Sequence, residues 1–231
     1  MLHTERRCPR VVVLDVNETL SDMGALDASF ARIGAPAHFR ATWFAGVLRD
    51  GFALNMAGEP ADFAALARCG LRSLLGALGG LVVEPDDGVE IILSAMADLP
   101  LHPDVKPGLE RIAAAGARIV TLSNGAASVA TALLERAGAS EFVEQRLSVD
   151  AVGRWKPAPE PYRYAAERCE VDPAEMMLVA VHPWDITGAA RAGLCTAWIN
   201  RSQLPYPGGF QSPDVECESF IALADVLAAR R

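Results

Sequence analysis

Residues that can do chemistry stand where apolar stretches of the sequence end. Asp15 and Thr19 follow the stretch VVVL, and Ser123 closes the stretch RIVTLS. Asp185 comes shortly after MMLVAV, and Lys156 lies in the loop GRWKPAPEPY. Each residue alone has a structural explanation, as a turn cap, a helix cap or a solvated lysine. Together they favour a catalytic site, in which a carboxylate such as Asp15 can act as a nucleophile.

The apolar stretches that carry these residues are predicted to be strands of a parallel sheet. They are VVVLDV (11–16), ARIVTLSN (117–124), MMLVAV (176–181) and CTAWIN (195–200). Nearly continuous apolar runs are typical of strands that are buried on both faces. Helical patterns alternate with them, and QRLSVD (145–150) is predicted to add a shorter strand. This alternation predicts a doubly wound, Rossmann-like α/β fold, whose strand ends would bring the polar residues together.

Residues 21–99 interrupt this alternation, because they contain only helical periodicity. The chain returns through LPLHPDVKPG (99–108), which contains three prolines and is predicted to be a hinge. We therefore expect an α/β core domain formed by residues 1–20 and 100–231, and an inserted helical cap domain formed by residues 21–99. Ligands of such sheets bind beyond the carboxyl ends of the strands, so the cap would close over the site.

The composition restricts the partners and the compartment. Hydrophobic residues make up 51% of the chain, which is enough for a substantial core. A net charge of -8 and a pI near 5.0 argue against nucleic acid as a partner. The apolar stretch SLLGALGGLVV is too short to span a membrane. Five cysteines without a CxxC pair predict neither a zinc site nor a disulfide framework, and favour a cytoplasmic location.

The order of these motifs resembles the haloacid dehalogenase (HAD) superfamily, over nearly the whole chain. The matching motifs are Asp15-x-x-x-Thr19, the turn Ser123-Asn124-Gly125, the loop Lys156-Pro157 and the later Asp185. Within the superfamily, the chain is most similar to the L-2-haloacid dehalogenases. The features shared with them are LSNG (122–125), Tyr162 six residues after Lys156, Trp184-Asp185 and WINR (198–201). The resemblance implies the HAD fold with a helical cap, and a homodimer.

Two positions distinguish the chemistries found in this superfamily. Most members are Mg²⁺-dependent phosphatases, which use a second acid two residues after the nucleophile to protonate the leaving group. Here that residue is Asn17, and Val181 replaces an acidic metal ligand four residues before Asp185. A valine cannot bind a hard cation, and a departing halide needs neither a proton nor a metal. The residues therefore favour carbon–halide hydrolysis without a metal or cofactor, and Glu18 is expected to point away from Asp15.

The resemblance implies a two-step mechanism on short (S)-2-haloalkanoic acids. Asp15 would attack C2, expel the halide and form an ester, and water would then release the 2-hydroxy acid with inverted configuration. Thr19 would hydrogen-bond the Asp15 carboxylate, and Lys156 would keep it ionised. Ser123, with amides of the following helix, would bind the substrate carboxylate. Asp185 would orient or deprotonate the water.

The resemblance also implies residues that bind the halide and the rest of the substrate. The halide candidates are Arg40, Phe63 and Asn124, with Arg49 as the alternative to Arg40 if the register of the cap differs. The other candidates for the substrate pocket are Val16, Asn17, Trp184 and Tyr162.

The chain departs from the dehalogenase pattern near the expected water. Ala180 and His182 stand where small polar residues, Ser and Asn, are usual, and Asn17 replaces an aromatic residue. His182 could accept a proton from water or hold Asp185, or it could only pack beside Pro183. Besides the dehalogenase and the alternative of a Mg²⁺-dependent phosphatase, these departures leave a third hypothesis, a catalytically silent protein that keeps a pocket for small acids. The intact Asp–Lys–Asp set argues against it.

Overall fold

A computed structural model describes residues 9–230 of the chain. Within them, six parallel strands form one sheet in the order β3-β2-β1-β4-β5-β6. The strands are β1 (Val11–Leu14), β2 (Arg118–Ser123), β3 (Gln145–Ser148), β4 (Met176–Ala180), β5 (Cys195–Ile199) and β6 (Val215–Cys217). The direction of winding reverses between β1 and β4, which is where ligands bind in doubly wound sheets. The predicted α/β fold is confirmed.

Four inserted α-helices lie between β1 and the first helix that flanks the sheet. They are α1 (Asp27–Arg32), α2 (Phe39–Ala57), α3 (Phe63–Gly76) and α4 (Pro85–Ala97). The helices that flank the sheet are α5 (Val105–Ala114), α6 (Ala127–Arg136), α7 (Pro159–Cys169), α8 (Pro183–Arg191) and α9 (Phe220–Ala229). No helix among the described residues has the length and hydropathy needed to cross a membrane.

The sequence of β1 explains why both faces of the sheet are covered. All four of its residues are fully buried. Val11 and Val13 pack into the apolar cluster on one face, and Val12 and Leu14 pack into the cluster on the other face. Successive side chains of a strand point to opposite faces, so an unbroken apolar run fits a strand between two helical layers. This central position fixes the point at which Asp15 leaves the sheet.

Some element boundaries differ from the sequence predictions. The first strand ends at Leu14, two residues earlier than predicted, and the other predicted strands are also one or two residues shorter. Two elements near the C-terminus, β6 and α9, were not among the predicted strands and helices. β6 has only three residues and lies at the edge of the sheet, so its pattern is too short to recognise. Helix α6 ends two residues before Gly138, whose φ of 59° lies in the left-handed region that glycine favours after a helix.

Trp155 joins the loop that carries Lys156 to the helices inserted after β1. Its indole Nε1 donates to the Ala61 carbonyl at 2.8 Å, and its backbone N–H donates to Asn55 Oδ1 at 3.1 Å. Its ring packs against Gly51 of α2, where a Cβ atom would overlap with it. Glycine is therefore required at this position by close packing.

The Trp155 contact predicts opposite effects for two glycines of the same helix. Gly51→Ala should lower the free energy of unfolding by about 1–3 kcal/mol, because the added methyl overpacks the contact with Trp155. Gly46→Ala is the matched control, since nothing lies within 4 Å of its Cβ position. It should raise the free energy of unfolding by up to about 1 kcal/mol, through helix propensity alone. Chemical unfolding measures both, and equal effects would contradict the packing account.

Candidate active site

The predicted lysine and carboxylates form one buried cluster at the carboxyl ends of β1 and β4. Lys156 Nζ donates to Asp15 Oδ1 at 2.8 Å and to Asp185 Oδ2 at 2.7 Å. Asp15 directly follows β1, Lys156 lies before α7, and Asp185 lies in the first turn of α8. Lys156 and Asp185 are fully buried, and Asp15 is 4% exposed. Three distant segments of sequence therefore meet at one ammonium group.

The second oxygen of each carboxylate also accepts a hydrogen bond. Thr19 Oγ1 donates to Asp15 Oδ2 at 2.6 Å and accepts from the Val181 backbone N–H at 3.1 Å. Tyr162 OH donates to Asp185 Oδ1 at 2.6 Å. Buried charges are tolerated when they are paired and their remaining oxygens are satisfied, which is the case for both aspartates.

The cluster moves the pKa values of its two carboxylates in opposite directions. Burial acts to raise the pKa of Asp15, but the charges of Lys156 and His182 and the hydrogen bonds from Lys156 and Thr19 outweigh burial, so this pKa is lowered. Burial also raises the pKa of Asp185, and the Asp15 charge adds to burial, so this pKa stays above its usual value despite Lys156. Asp15 is thus the carboxylate held in its ionised form, which a nucleophile requires.

The other members of the cluster keep their protons. Burial acts to lower the pKa of Lys156, but the two carboxylates outweigh it, and the pKa is raised. Burial and the neighbouring Asp185 raise the pKa of the Tyr162 hydroxyl well above its usual value. Lys156 is therefore a permanent cation, and Tyr162 is a permanent donor to Asp185.

Asn124 fixes the loop that carries Lys156. Its side-chain Oδ1 accepts from the Lys156 backbone N–H at 2.9 Å, and its Nδ2 donates to the Lys156 carbonyl at 3.3 Å. The neighbouring Ser123 Oγ accepts from the Gly125 N–H at 3.0 Å, just before α6 begins. Asn124 thus has a positioning contact that the sequence did not reveal, and its role at the halide stays a prediction.

Two cavities lie near the cluster, and each is lined by some of the predicted site residues. The larger cavity, of about 950 Å³, is lined by Asn17, Ser123, Phe63 and Trp155 among others. The smaller cavity, of about 400 Å³, is lined by Glu18, Arg40 and His182 among others. Arg40 and Phe63, both predicted to bind halide, therefore lie at different cavities.

Arg40 is the better placed of the two candidate arginines. Its Nε lies 2.6 Å from Asp27 Oδ1, and its Nη1 lies 3.8 Å from Glu18 Oε1. Arg49 is 76% exposed and pairs with the adjacent Asp50 at 2.7 Å. The structure therefore favours Arg40, whose guanidinium lines a cavity beside the cluster, over an arginine that faces solvent.

His182 both packs and reaches the nucleophile. Its ring stacks on Trp184, with centroids 5.0 Å apart and planes at 18°. Its Nε2 lies 3.2 Å from the Asn17 carbonyl oxygen and 3.7 Å from Asp15 Oδ2. The stacked ring of His182 thus presents Nε2 to Asp15, whereas Asp185 accepts its hydrogen bonds from Lys156 and Tyr162. A role of His182 in removing the water proton stays a prediction.

Glu18 lies closer to this site than the sequence indicated. Its Oε2 is 3.7 Å from His182 Nε2, the same nitrogen that faces Asp15. The side chain of Glu18 lines the smaller cavity, and its backbone has a φ of 61°. The expectation that it points away from Asp15 stays a prediction, but it shares the His182 ring nitrogen with Asp15. Its position three residues after Asp15 was the available signal, although spacing alone does not give the orientation of the side chain.

The remaining substrate candidates have different positions. Val16 is 1% exposed, packs in the core of the sheet and lines neither of these two cavities. Its role in substrate binding is therefore not supported by its side chain. Trp184 packs edge-on against Phe52 and lies with its ring centroid 5.8 Å from Lys156 Nζ, so it covers the cluster.

Known proteins resemble this chain along most of its length. The family model of haloacid dehalogenase-like hydrolases matches residues 9–193. The chain belongs to this hydrolase family. (S)-2-haloacid dehalogenase 1 of Pseudomonas sp. (strain CBS-3) is 29% identical over 220 residues, covering 94% of this chain and 96% of the relative. (S)-2-haloacid dehalogenase 4A of Burkholderia cepacia is 30% identical over 199 residues, covering 85% of each. A solved dehalogenase structure matches with a TM-score of 0.89, at 27% identity and 99% coverage of each chain.

The donor set of this family member does not suit Mg²⁺. Within residues 9–230, no three His, Cys, Asp or Glu side chains are grouped so that they could hold a metal ion. The Lys156 ammonium lies between Asp15 and Asp185, where a bridging cation would have to bind. Val181, at the position of an acidic ligand, has no side-chain oxygen; its backbone N–H donates to Thr19 Oγ1, and its carbonyl accepts from Trp198 Nε1. Mg²⁺ requires several oxygen ligands, and this cluster presents an ammonium in their place.

The buried bridge predicts a large, pH-dependent effect of removing the ammonium. Lys156→Met should lower the free energy of unfolding by about 3–5 kcal/mol at pH 8, because two buried carboxylates lose their counter-charge. Without Lys156, burial raises both carboxyl pKa values above their unfolded values, so stability is lost as pH rises through them. The deficit relative to wild type should therefore shrink at pH 5.

Urea unfolding of both proteins at the two pH values measures this deficit. Lys106→Met removes the other lysine of the chain, which is exposed on α5, and serves as the control. It should change stability little at either pH. A Lys156→Met deficit that does not depend on pH would contradict the electrostatic account.

Proposed function

We propose that this protein hydrolyses the carbon–halide bond of (S)-2-haloalkanoic acids to 2-hydroxy acids, through an ester on Asp15 and without a metal. The observation that carries the proposal is the ionised Asp15, bound to a buried lysine in a site that has Asn17 in place of a second acid. Relatives about 30% identical, named (S)-2-haloacid dehalogenases, support the same substrate class.

The first step is a displacement at C2 of the substrate. An Asp15 oxygen forms a bond to C2 while the carbon–halogen bond breaks, and the halide leaves with the bonding electrons. The departing halide needs no proton, so Asn17, which has no acidic group, does not impair this step. Ser123, beside the N-terminus of α6, is suited to bind the substrate carboxylate, because helix N-termini attract anions.

The second step is hydrolysis of the Asp15 ester by water, which needs a base. Asp185 is fully buried, and both of its oxygens already accept hydrogen bonds, from Lys156 and Tyr162. His182 is better placed, because its Nε2 lies 3.7 Å from Asp15 Oδ2. We assign the removal of the water proton to His182 in the neutral tautomer that carries its hydrogen on Nδ1, because a protonated Nε2 would donate to the Asn17 carbonyl at 3.2 Å and could not accept a proton. We assign to Asp185 the positioning of Lys156.

Glu18 completes this assignment for the second step. The imidazolium formed when His182 takes the water proton would carry a positive charge beside the Glu18 carboxylate, at 3.7 Å. An adjacent anion stabilises such a cation. When the ester C–O bond breaks, the proton would pass from His182 to the departing alkoxide oxygen of the 2-hydroxy acid, and the second proton of the water would be released to solvent, which restores neutral His182 and ionised Asp15.

Halide release tests the proposed reaction. (S)-2-Chloropropionate should release chloride, its R enantiomer should not, and a chelator should leave the rate unchanged, because the Lys156 ammonium supplies the positive charge. Asp15→Asn should release no detectable halide, since an amide does not attack carbon. Chloride is measured with both enantiomers, with and without the chelator.

Two results would contradict this proposal. Activity on an aryl phosphate ester that depends on added Mg²⁺ would indicate a phosphatase instead. Binding of 2-haloacids without any halide release would indicate the catalytically silent protein.

The assignment of His182 predicts a change in kinetic pattern. His182→Ala should slow the hydrolysis of the ester more than its formation, because only hydrolysis needs a base. Rapid-quench measurements should then show a burst of about one halide per site, followed by slow turnover. His182→Asn, which introduces the residue usual in the dehalogenases that the sequence resembles, should show the same burst, because an amide cannot accept the water proton. Full turnover in His182→Asn would assign the proton removal to another group. Loss of activity in His182→Ala without a burst would place the histidine in the first step or in packing.

A further inference from the structure

The larger cavity beside the cluster has much more space than a three-carbon acid requires. Its volume is about 950 Å³, and it lies between the inserted helices α3 and α4 and the sheet-flanking helix α6. Cavities of about 300–1,000 Å³ accommodate drug-sized ligands. A haloacetate or 2-chloropropionate whose carboxylate binds near Ser123 would leave most of this space unfilled.

The lining of this cavity is mainly apolar. Its apolar residues include Phe63, Leu93, Met96, Ala97, Val129 and Trp155. Two of its charged residues have partners elsewhere: Asp62 caps α3 by accepting from the Ala65 N–H at 3.0 Å, and Arg68 pairs with Glu90. The surface that a ligand would meet beyond Ser123 is therefore suited to hydrocarbon.

The smaller cavity has more charged residues in its lining. They are Glu18, Asp22, Arg40 and Arg201, with His102 and apolar residues such as Met23 and Leu204 beside them. An apolar substituent placed there would displace water from charged groups without replacing their hydrogen bonds, which is unfavourable. A halide or water is better suited to it, so the two cavities offer separate places for the polar and apolar parts of a substrate.

We infer that this enzyme acts on 2-haloacids that carry a long apolar substituent at C2, and that the larger cavity binds this substituent. The inference rests on the proposed function and extends it beyond the short acids implied by the sequence resemblance. The substrate carboxylate binds at Ser123, C2 faces Asp15, and the alkyl chain extends along the apolar wall. Burial of each additional methylene then contributes binding energy.

A chain-length series tests this inference. With (S)-2-bromopropionate, 2-bromohexanoate and 2-bromooctanoate, kcat/KM should rise by about threefold per added methylene until the cavity is filled. Propionate, hexanoate and octanoate, which carry no halogen, should inhibit competitively with inhibition constants that fall in the same order. This second readout measures binding without requiring carbon–halide cleavage.

A pair of matched variants locates the effect. Ala97 is the last residue of α4 and lines the larger cavity. Ala97→Phe should reduce kcat/KM for 2-bromooctanoate at least tenfold more than it reduces kcat/KM for 2-bromopropionate. Ala57 is the last residue of α2, is exposed, and is not among the residues that line this cavity. Ala57→Phe should leave both values unchanged.

The outcomes separate this inference from the proposed function. If 2-bromopropionate is hydrolysed but activity falls with chain length, and octanoate inhibits no better than propionate, the inference is wrong and the proposed function stands. If no 2-haloacid releases halide, both are wrong. If long acids are hydrolysed but Ala97→Phe and Ala57→Phe affect them equally, the assignment of the substituent to this cavity is wrong.

Discussion

The position of one buried ammonium group determines most of this site. Lys156 Nζ contacts both Asp15 and Asp185 with its side chain fully removed from solvent. Burying three charges is costly unless each is closely paired, so the surroundings must hold them in place. Asn124 binds the backbone of Lys156 on both sides, and Tyr162 holds Asp185. The site is therefore built from hydrogen bonds that orient a single cation.

The same ammonium gives the two aspartates different tasks. Asp185 is fully buried with both oxygens bonded, and its pKa is raised, whereas Asp15 lies at the edge of the cluster with a lowered pKa. We therefore propose that Asp15 is the ionised nucleophile and that Asp185 fixes the position of Lys156. A fixed ammonium in place of a metal suits a reaction at a carbon–halide bond. The reacting carbon is uncharged, so no metal is needed to offset repulsion between the substrate and the Asp15 carboxylate. Lys156 contacts Oδ1 of Asp15, whereas His182 lies near Oδ2 and lines the smaller cavity together with Glu18.

Much of the fold and of the cluster could be predicted from the sequence, for physical reasons. Strands buried on both faces are visible as unbroken apolar runs, and polar residues at their ends converge at one edge of the sheet. β6 could not be predicted in this way, since three residues carry no periodic signal. The orientation of Glu18 depends on a positive φ, and the contact between Asn124 and the Lys156 backbone joins residues 32 positions apart. Neither follows from residue type or spacing, and the division into two cavities depends on how the inserted helices pack.

The most direct test of the central claim, that Asp15 is the nucleophile, is a single turnover in ¹⁸O-labelled water with enzyme in excess over (S)-2-chloropropionate. If an Asp15 oxygen displaces the halide and water then attacks the Asp15 carbonyl, the first lactate formed contains no label. The label appears instead in the peptide that carries Asp15, as mass spectrometry can determine. Label in the first lactate, with none in that peptide, would mean that water attacks C2 directly and would contradict the account.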